Sequence, residues 1–127
     1  MKRYVLLVLA VSMILSCKKH GVSPINIVGK WELARRYGGN IYPSDTTYKA
    51  GNGNILQFNS DSSYKQYTNG TLTVSGTFHI QGNQLYFILP NANQASFYDV
   101  VSISGNMLTI KPIMPDIGTT VYDKIGI

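Results

Sequence analysis

The sequence is poor in the residues that carry chemistry. Among 127 residues there is one cysteine, Cys17, so no disulfide can form within the chain and no thiolate cluster can hold a metal. The two histidines stand apart. His20 lies in a short polar stretch, and His79 falls on the polar face of an alternating segment with no nucleophile near it in sequence. The six acids, Glu32, Asp45, Asp61, Asp99, Asp116 and Asp123, are scattered, and no two sit at a spacing that implies paired acid/base work. No serine stands in a nucleophile-elbow context. Gly51-Asn52-Gly53 is not followed by the helix that a phosphate-binding loop needs. These absences argue against an enzyme, a metal centre and a bound cofactor. Charged residues make up only 13% of the chain, and Lys18-Lys19 and Arg35-Arg36 are its adjacent basic pairs beyond the N-terminus. Nucleic-acid binding wants clustered cations interleaved with aromatics, which this pattern lacks. From Ile25 onward no helical stripe appears either, and apolar residues recur with period two.

What is present begins with Met1 to Cys17. Lys2 and Arg3 precede the apolar run Tyr4 to Leu15, and Ser16 supplies a small residue before the cysteine. This is the physical plan of a secretory signal peptide, and the run is short for crossing a hydrocarbon core of about 30 Å. Ile14-Leu15-Ser16-Cys17 resembles the lipobox of bacterial lipoproteins. The resemblance implies cleavage after residue 16, acylation of Cys17 and attachment to a lipid bilayer through it. Loss of Lys2 and Arg3 would lower the formal charge from +5 to +3. Residues 17–24 then read as a lipidated tether, with Lys18 and Lys19 placed to meet anionic head groups. The Ser-Cys-Lys-Lys ending is similar to lipoproteins of Bacteroidota. Surface-exported lipoproteins of that group usually carry acids just after the cysteine; none follows Cys17, so the resemblance implies an outer-membrane anchor facing the periplasm.

Residues 25–127 read as one domain. Nine tyrosines and twelve glycines in the chain favour strands and turns. Period-two segments are expected at about 28–37, 54–58, 63–68, 71–80, 84–89, 95–104, 107–113 and 119–125. On the first, Gly29, Trp31 and Leu33 share one face, with Lys30, Glu32 and Arg36 on the other. On the fourth, Leu72, Val74, Gly76, Phe78 and Ile80 face inward, and Gly76 marks a bend or a close approach. One buried and one wet face imply an antiparallel sheet. Asn69-Gly70 is the strongest hairpin signal. The last strand leaves two registers open: either Asp123 points inward with Val121 and Ile125, or Tyr122 does. Asp99 and Tyr98 pose the same choice. Tyrosine buries more readily than aspartate, so the tyrosine register is favoured. The polar stretch Gly38 to Gly53 exceeds the roughly 12–15 residues usual for a loop in a compact domain, which suggests a functional lid.

Eight short strands joined by tight turns predict an all-β, eight-stranded antiparallel up-and-down barrel, since closure removes exposed edges. Gly29-Lys30-Trp31 on the first strand, the long loop after it and the meander resemble the small lipocalin-like domain lipoproteins of Bacteroidota. The resemblance implies that Gly29 and Trp31 are structural anchors at the closed end of a barrel, with a basic residue of the last strand over the indole; Lys124 is the candidate. It also implies a small apolar or amphipathic ligand as partner. Tyr42, Tyr48, Phe58, Phe78 and Phe87 are the candidate ligand-binding residues. The alternative is a non-catalytic envelope interaction module or hydrolase inhibitor, its core plugged by Phe58, Phe78, Phe87 and Phe97. A hollow or filled interior separates these two readings.

Overall fold

The computed structural model describes residues 26–41, 44–91, 96–98 and 101–127. The signal segment, Cys17, the tether, Tyr42, Asp99 and the Phe97 side chain lie outside what it describes. Among the described residues ten strands run in chain order: β1 (Gly29–Tyr37), β2 (Thr46–Thr47), β3 (Ile55–Phe58), β4 (Ser63–Thr68), β5 (Thr71–Gln81), β6 (Gln84–Ile88), β7 (Ser96–Tyr98), β8 (Val101–Ser104), β9 (Met107–Ile110) and β10 (Thr119–Gly126). A 3-10 turn, Pro115–Ile117, precedes β10.

The strands form one antiparallel sheet in the order β7-β6-β5-β4-β3-β1-β10-β9-β8, with β2 added alongside β1. Apart from the closing β1–β10 pair and the accessory β2, neighbours follow one another along the chain, as tight turns dictate. The turn at Asn69-Gly70 shows why: both residues have positive φ, 51° and 80°, the backbone that a right-twisted two-residue hairpin requires. The two ends of the sheet, β7 and β8, come from the one stretch expected as a strand at 95–104. Its first part pairs with β6 and its second with β9. The amide of Val101 also donates to the Asn83 carbonyl at 2.7 Å, across the β5–β6 turn. The sheet thus comes round on itself as a nearly closed eight-stave barrel, β7 and β8 sharing one stave.

β1 runs from the end where the chain enters to the end where its long loop begins. The entering end is filled. Ile27, Trp31, Phe58, Leu85, Val101 and Leu108 are each at most 2% exposed. Trp31 donates its indole N–H to the Ile27 carbonyl at 2.7 Å, so the one polar atom of the ring is satisfied inside the core. Phe58 meets the Phe78 ring edge-on at 4.9 Å and stacks on Phe87 at 5.9 Å, and Tyr64 sits 4.6 Å from Phe87. The described core begins at Ile27, and the closing β1–β10 ladder reaches Gly126.

Lys124 pairs with Trp31 across β1 and β10, and its ammonium lies 5.3 Å from the indole centroid. Gly29 makes room for it. A Cβ there would sit 2.8 Å from the Gly126 carbonyl and 2.9 Å from the Lys124 side chain, at a φ of 141°. The glycine-any-tryptophan triplet therefore has a steric meaning: the glycine lets a lysine stem cross the strand and cap the tryptophan. Gly76 fills the predicted role of close approach, since a Cβ would stand 2.3 Å from the Ile88 carbonyl and 2.9 Å from the Tyr64 ring.

Three β-bulges correct the simple alternation. Ile125 is extra between the pairs Lys30–Gly126 and Trp31–Lys124. Thr73 is extra between Gln66–Val74 and Tyr67–Leu72, and Leu72, expected inward, is half exposed. Ala34 is extra between Leu33–Tyr122 and Arg35–Val121. A bulge of one residue exchanges the two faces of the strand beyond it. Arg36, expected outward, consequently pairs with Thr120 on the inner face, while Arg35 points out. On β10 the tyrosine register holds: Tyr122 is half-buried and Asp123 is exposed.

Candidate functional site

The end of the barrel opposite Trp31 is hollow. An apolar cleft of about 270 Å³ opens there above the aromatic cluster. Phe87 and Tyr64 form its floor, Leu56, Val74 and Ile110 its walls. Leu89, Pro112 and Ile117 stand at its mouth, beside Gln66, Thr120 and Tyr122. The local reasons are plain in the sequence. The strands place medium-sized side chains such as Val74, Ile110 and Thr120 at this level, where the lower level carries phenylalanines. Pro112 follows the end of the β9 ladder, which proline cannot extend as a donor, and the chain turns over the rim.

A second cleft of about 150 Å³ adjoins the first and shares Leu56, Gln66 and Tyr122 with it. It lies where β3 parts from β1. Their pairing stops at Glu32–Ile55, after which β1 is flanked by Thr46–Thr47 of β2 instead. This cleft is more polar, lined by Arg36, Tyr48, Tyr67, Thr68 and Asn54 as well as Leu33 and Ile55. Among the described residues that line the two clefts, Arg36 alone is charged. Its guanidinium stands 5.8 Å from the centre of the Tyr48 ring.

The long loop after β1 is built differently from a lid. Its first part is tied to the β9–β10 connection: Asn40 donates to the Asp116 carboxylate at 2.6 Å and the Ile41 amide to the Asp116 carbonyl at 2.9 Å. Its second part runs beside β1. The Tyr48 amide donates to the Ala34 carbonyl at 2.8 Å, and Arg35 holds Asp45 through two charge-assisted hydrogen bonds. Glu32, expected to face solvent, is buried beneath this loop, where its carboxylate accepts the amides of Gly51 at 2.8 Å and Gly53 at 3.0 Å. The positive φ of both glycines aims their N–H groups at it. The Gly-Asn-Gly run thus binds an anion after all, but the anion is the chain's own side chain. Among the described residues of the loop, Tyr48 lines the second cleft and none covers the first.

The candidate residues fall in different places. Phe87 lines the apolar cleft and Tyr48 the polar one, whereas Phe58 and Phe78 lie in the packed cluster and line neither. Tyr42 lies outside the described residues. Tyr122 reaches both clefts through the inward register favoured for it, whereas Gln66 and Arg36 join the site without having been expected there; for Arg36 the only sequence signal is the basic pair with Arg35. His79, expected on the polar face, is exposed and stacks on Tyr86 across the β5–β6 ladder, centroids 4.5 Å apart and planes within 3°.

Fold and site together define a small up-and-down β-barrel, plugged at one end and hollow at the other. A family model for the lipocalin-like domain matches residues 27–110, more than half of the chain. The chain belongs to the lipocalin-like domain family. No curated protein and no solved structure was found to match it.

Proposed function

We propose that the protein is a non-enzymatic lipocalin-like lipoprotein that holds a small apolar or amphipathic ligand in the open end of its barrel. On this reading acylated Cys17 anchors it in the bacterial outer membrane, facing the periplasm. The observation that carries ligand binding is the apolar cleft of about 270 Å³ above a filled core. Pockets for drug-sized ligands run about 300–1,000 Å³, so the occupant is small or enters with one arm. Anchoring rests on the lipobox-like ending at Cys17. The filled lower half gives some support to the interaction-module reading, but a module with no ligand has no use for the hollow above it.

Native mass spectrometry of the protein purified from its own host tests ligand binding. A reproducible bound mass of a few hundred daltons is expected, and consistently empty protein overturns it. Metabolic labelling with an alkyne-tagged palmitate tests the anchor. Label on the native chain and none on Cys17→Ala is expected; labelling that survives the substitution, or never occurs, overturns it.

A further inference from the structure

The geometry points to a specific division of labour between the two clefts: the protein selects an anionic amphiphile, a chain with a carboxylate-like head, seating the tail in the apolar cleft and the head beside Arg36. The inference rests on the ligand-binding reading above and names the class of ligand that the site takes.

The first support is the bulge. In an uninterrupted strand, Arg36 would share the outer face with Lys30 and Glu32. The extra residue Ala34 reverses the faces beyond Leu33, so that Arg36 pairs with the cleft-lining Thr120 and Arg35 is sent outward to Asp45. Two adjacent arginines are thereby split across the barrel wall. Bulges commonly re-aim a side chain next to a functional site, and this one brings a cation to the cavity.

The second support is the distribution of polarity. The two clefts meet at Leu56, Gln66 and Tyr122, so one ligand can occupy both. The first cleft offers mainly hydrocarbon and ring faces. The second offers a guanidinium and the polar side chains of Tyr48, Tyr67, Asn54 and Thr68. Among the described residues neither lining contains an acid, so the clefts offer a cationic head no counter-charge. A guanidinium recognises a carboxylate through two parallel, charge-assisted hydrogen bonds, which a neutral hydroxyl cannot match. The small combined size favours a medium-length chain.

Isothermal titration of the whole protein with decanoate, decanol and decyltrimethylammonium tests this, each ligand kept below its micelle concentration. Decanoate is expected to bind about tenfold or more tightly than decanol, and the cation to bind weakest. Arg36→Gln is expected to lose that advantage and bring decanoate down to the affinity of decanol. Lys65→Gln, which removes the same charge from the outer face of β4, is expected to change neither. Val74→Trp, which fills the apolar cleft, is expected to abolish both. Thermal unfolding of each variant confirms the fold. Equal affinity for decanoate and decanol, or decanoate binding that survives Arg36→Gln, overturns the head-group assignment while leaving the ligand-binding reading intact. Tail binding that survives Val74→Trp overturns the placement of the chain. If none of the three ligands binds and the protein from its host is also empty, both readings fall together.

Discussion

Where the chain enters the barrel, Phe58, Phe78, Phe87 and Tyr64 on four consecutive strands stack against one another beside Trp31, and alternation places all four inward. Where β1 leaves the barrel, the same sheet carries smaller side chains, two bulges at Ala34 and Thr73, and a gap where β3 parts from β1. The lower half is filled because consecutive strands each supply a ring at one level. The upper half is hollow because they do not, and because the bulges turn Arg36 in and Leu72 out. One barrel thus holds a stability element and a site element in series. That separation lets the cleft be irregular without endangering the fold.

The difference is largest in what truncation costs. Phe58→Ala removes a buried ring that packs against three other aromatics. It is expected to destabilise the domain by about 3–5 kcal/mol. Leu89→Ala, at the mouth and 40% exposed, is expected to cost under about 1 kcal/mol. Urea unfolding of the two variants measures the contrast; similar losses would mean that the mouth is as much a part of the core as the floor.

Gly29→Ala probes the closed end without removing a side chain. The new Cβ has to displace the Gly126 carbonyl and the Lys124 stem at a φ of 141°. A loss of about 2–4 kcal/mol is expected from crowding and backbone strain together. Gly82→Ala is the control. Its φ is also positive, at 63°, but an added methyl there would meet open space, with nothing within 4 Å. It carries strain alone and should cost about half as much or less. Equal losses would show that the triplet glycine serves conformation rather than the lysine cap.

How far the sequence can show this division depends on what each feature is made of. Alternation places strands well, because the inner residues Leu56, Phe58, Phe78, Leu85, Phe87, Leu108 and Ile110 declare themselves by period two. It can also favour Tyr122 over Asp123 as the inward residue, from the relative cost of burying each. A bulge is another matter. It is one residue in the wrong count, fixed by how two distant strands meet, and Ala34 and Thr73 carry no local mark. Period two alone therefore puts Arg36 outside. Glu32 escapes for a related reason. It does lie on the outer face, but a segment some twenty residues later folds over it. The polar loop that looks like a lid is its hydrogen-bond donor.

Glu32 supplies the next measurement. Removing its carboxylate leaves the Gly51 and Gly53 amides without their acceptor under a partly closed loop. Glu32→Ala is expected to cost about 1–3 kcal/mol. Amide exchange should rise first at Gly51 and Gly53, and the aromatic cluster should stay protected. If Phe58 and Leu85 amides exchange as fast as the loop, the two halves unfold as one unit and their separation is only structural.

The smallest expected effect concerns Asp45, which anchors the loop's second part to the outside of β1. The hydrogen bond from Arg35 is the main reason its carboxyl is held below the usual carboxylate range. Its folded pKa is thus lower than its unfolded one, near 3.8. The stabilisation is therefore fully present above the unfolded value and is lost as pH falls through the folded one. Both side chains are about half exposed, so water screens the pair and the whole-domain stability should barely register it. The Thr46, Thr47 and Tyr48 amide signals should register it locally. They are expected to hold constant from neutral pH down to about 4 and to shift below that, while Asp45→Asn shows no such step. Because β2 flanks β1 just where Arg36 turns inward, an acid-loosened loop should also weaken the polar cleft before it disturbs the apolar one. A step centred well above that pH would mean that Asp45 is not the group that ties this loop down.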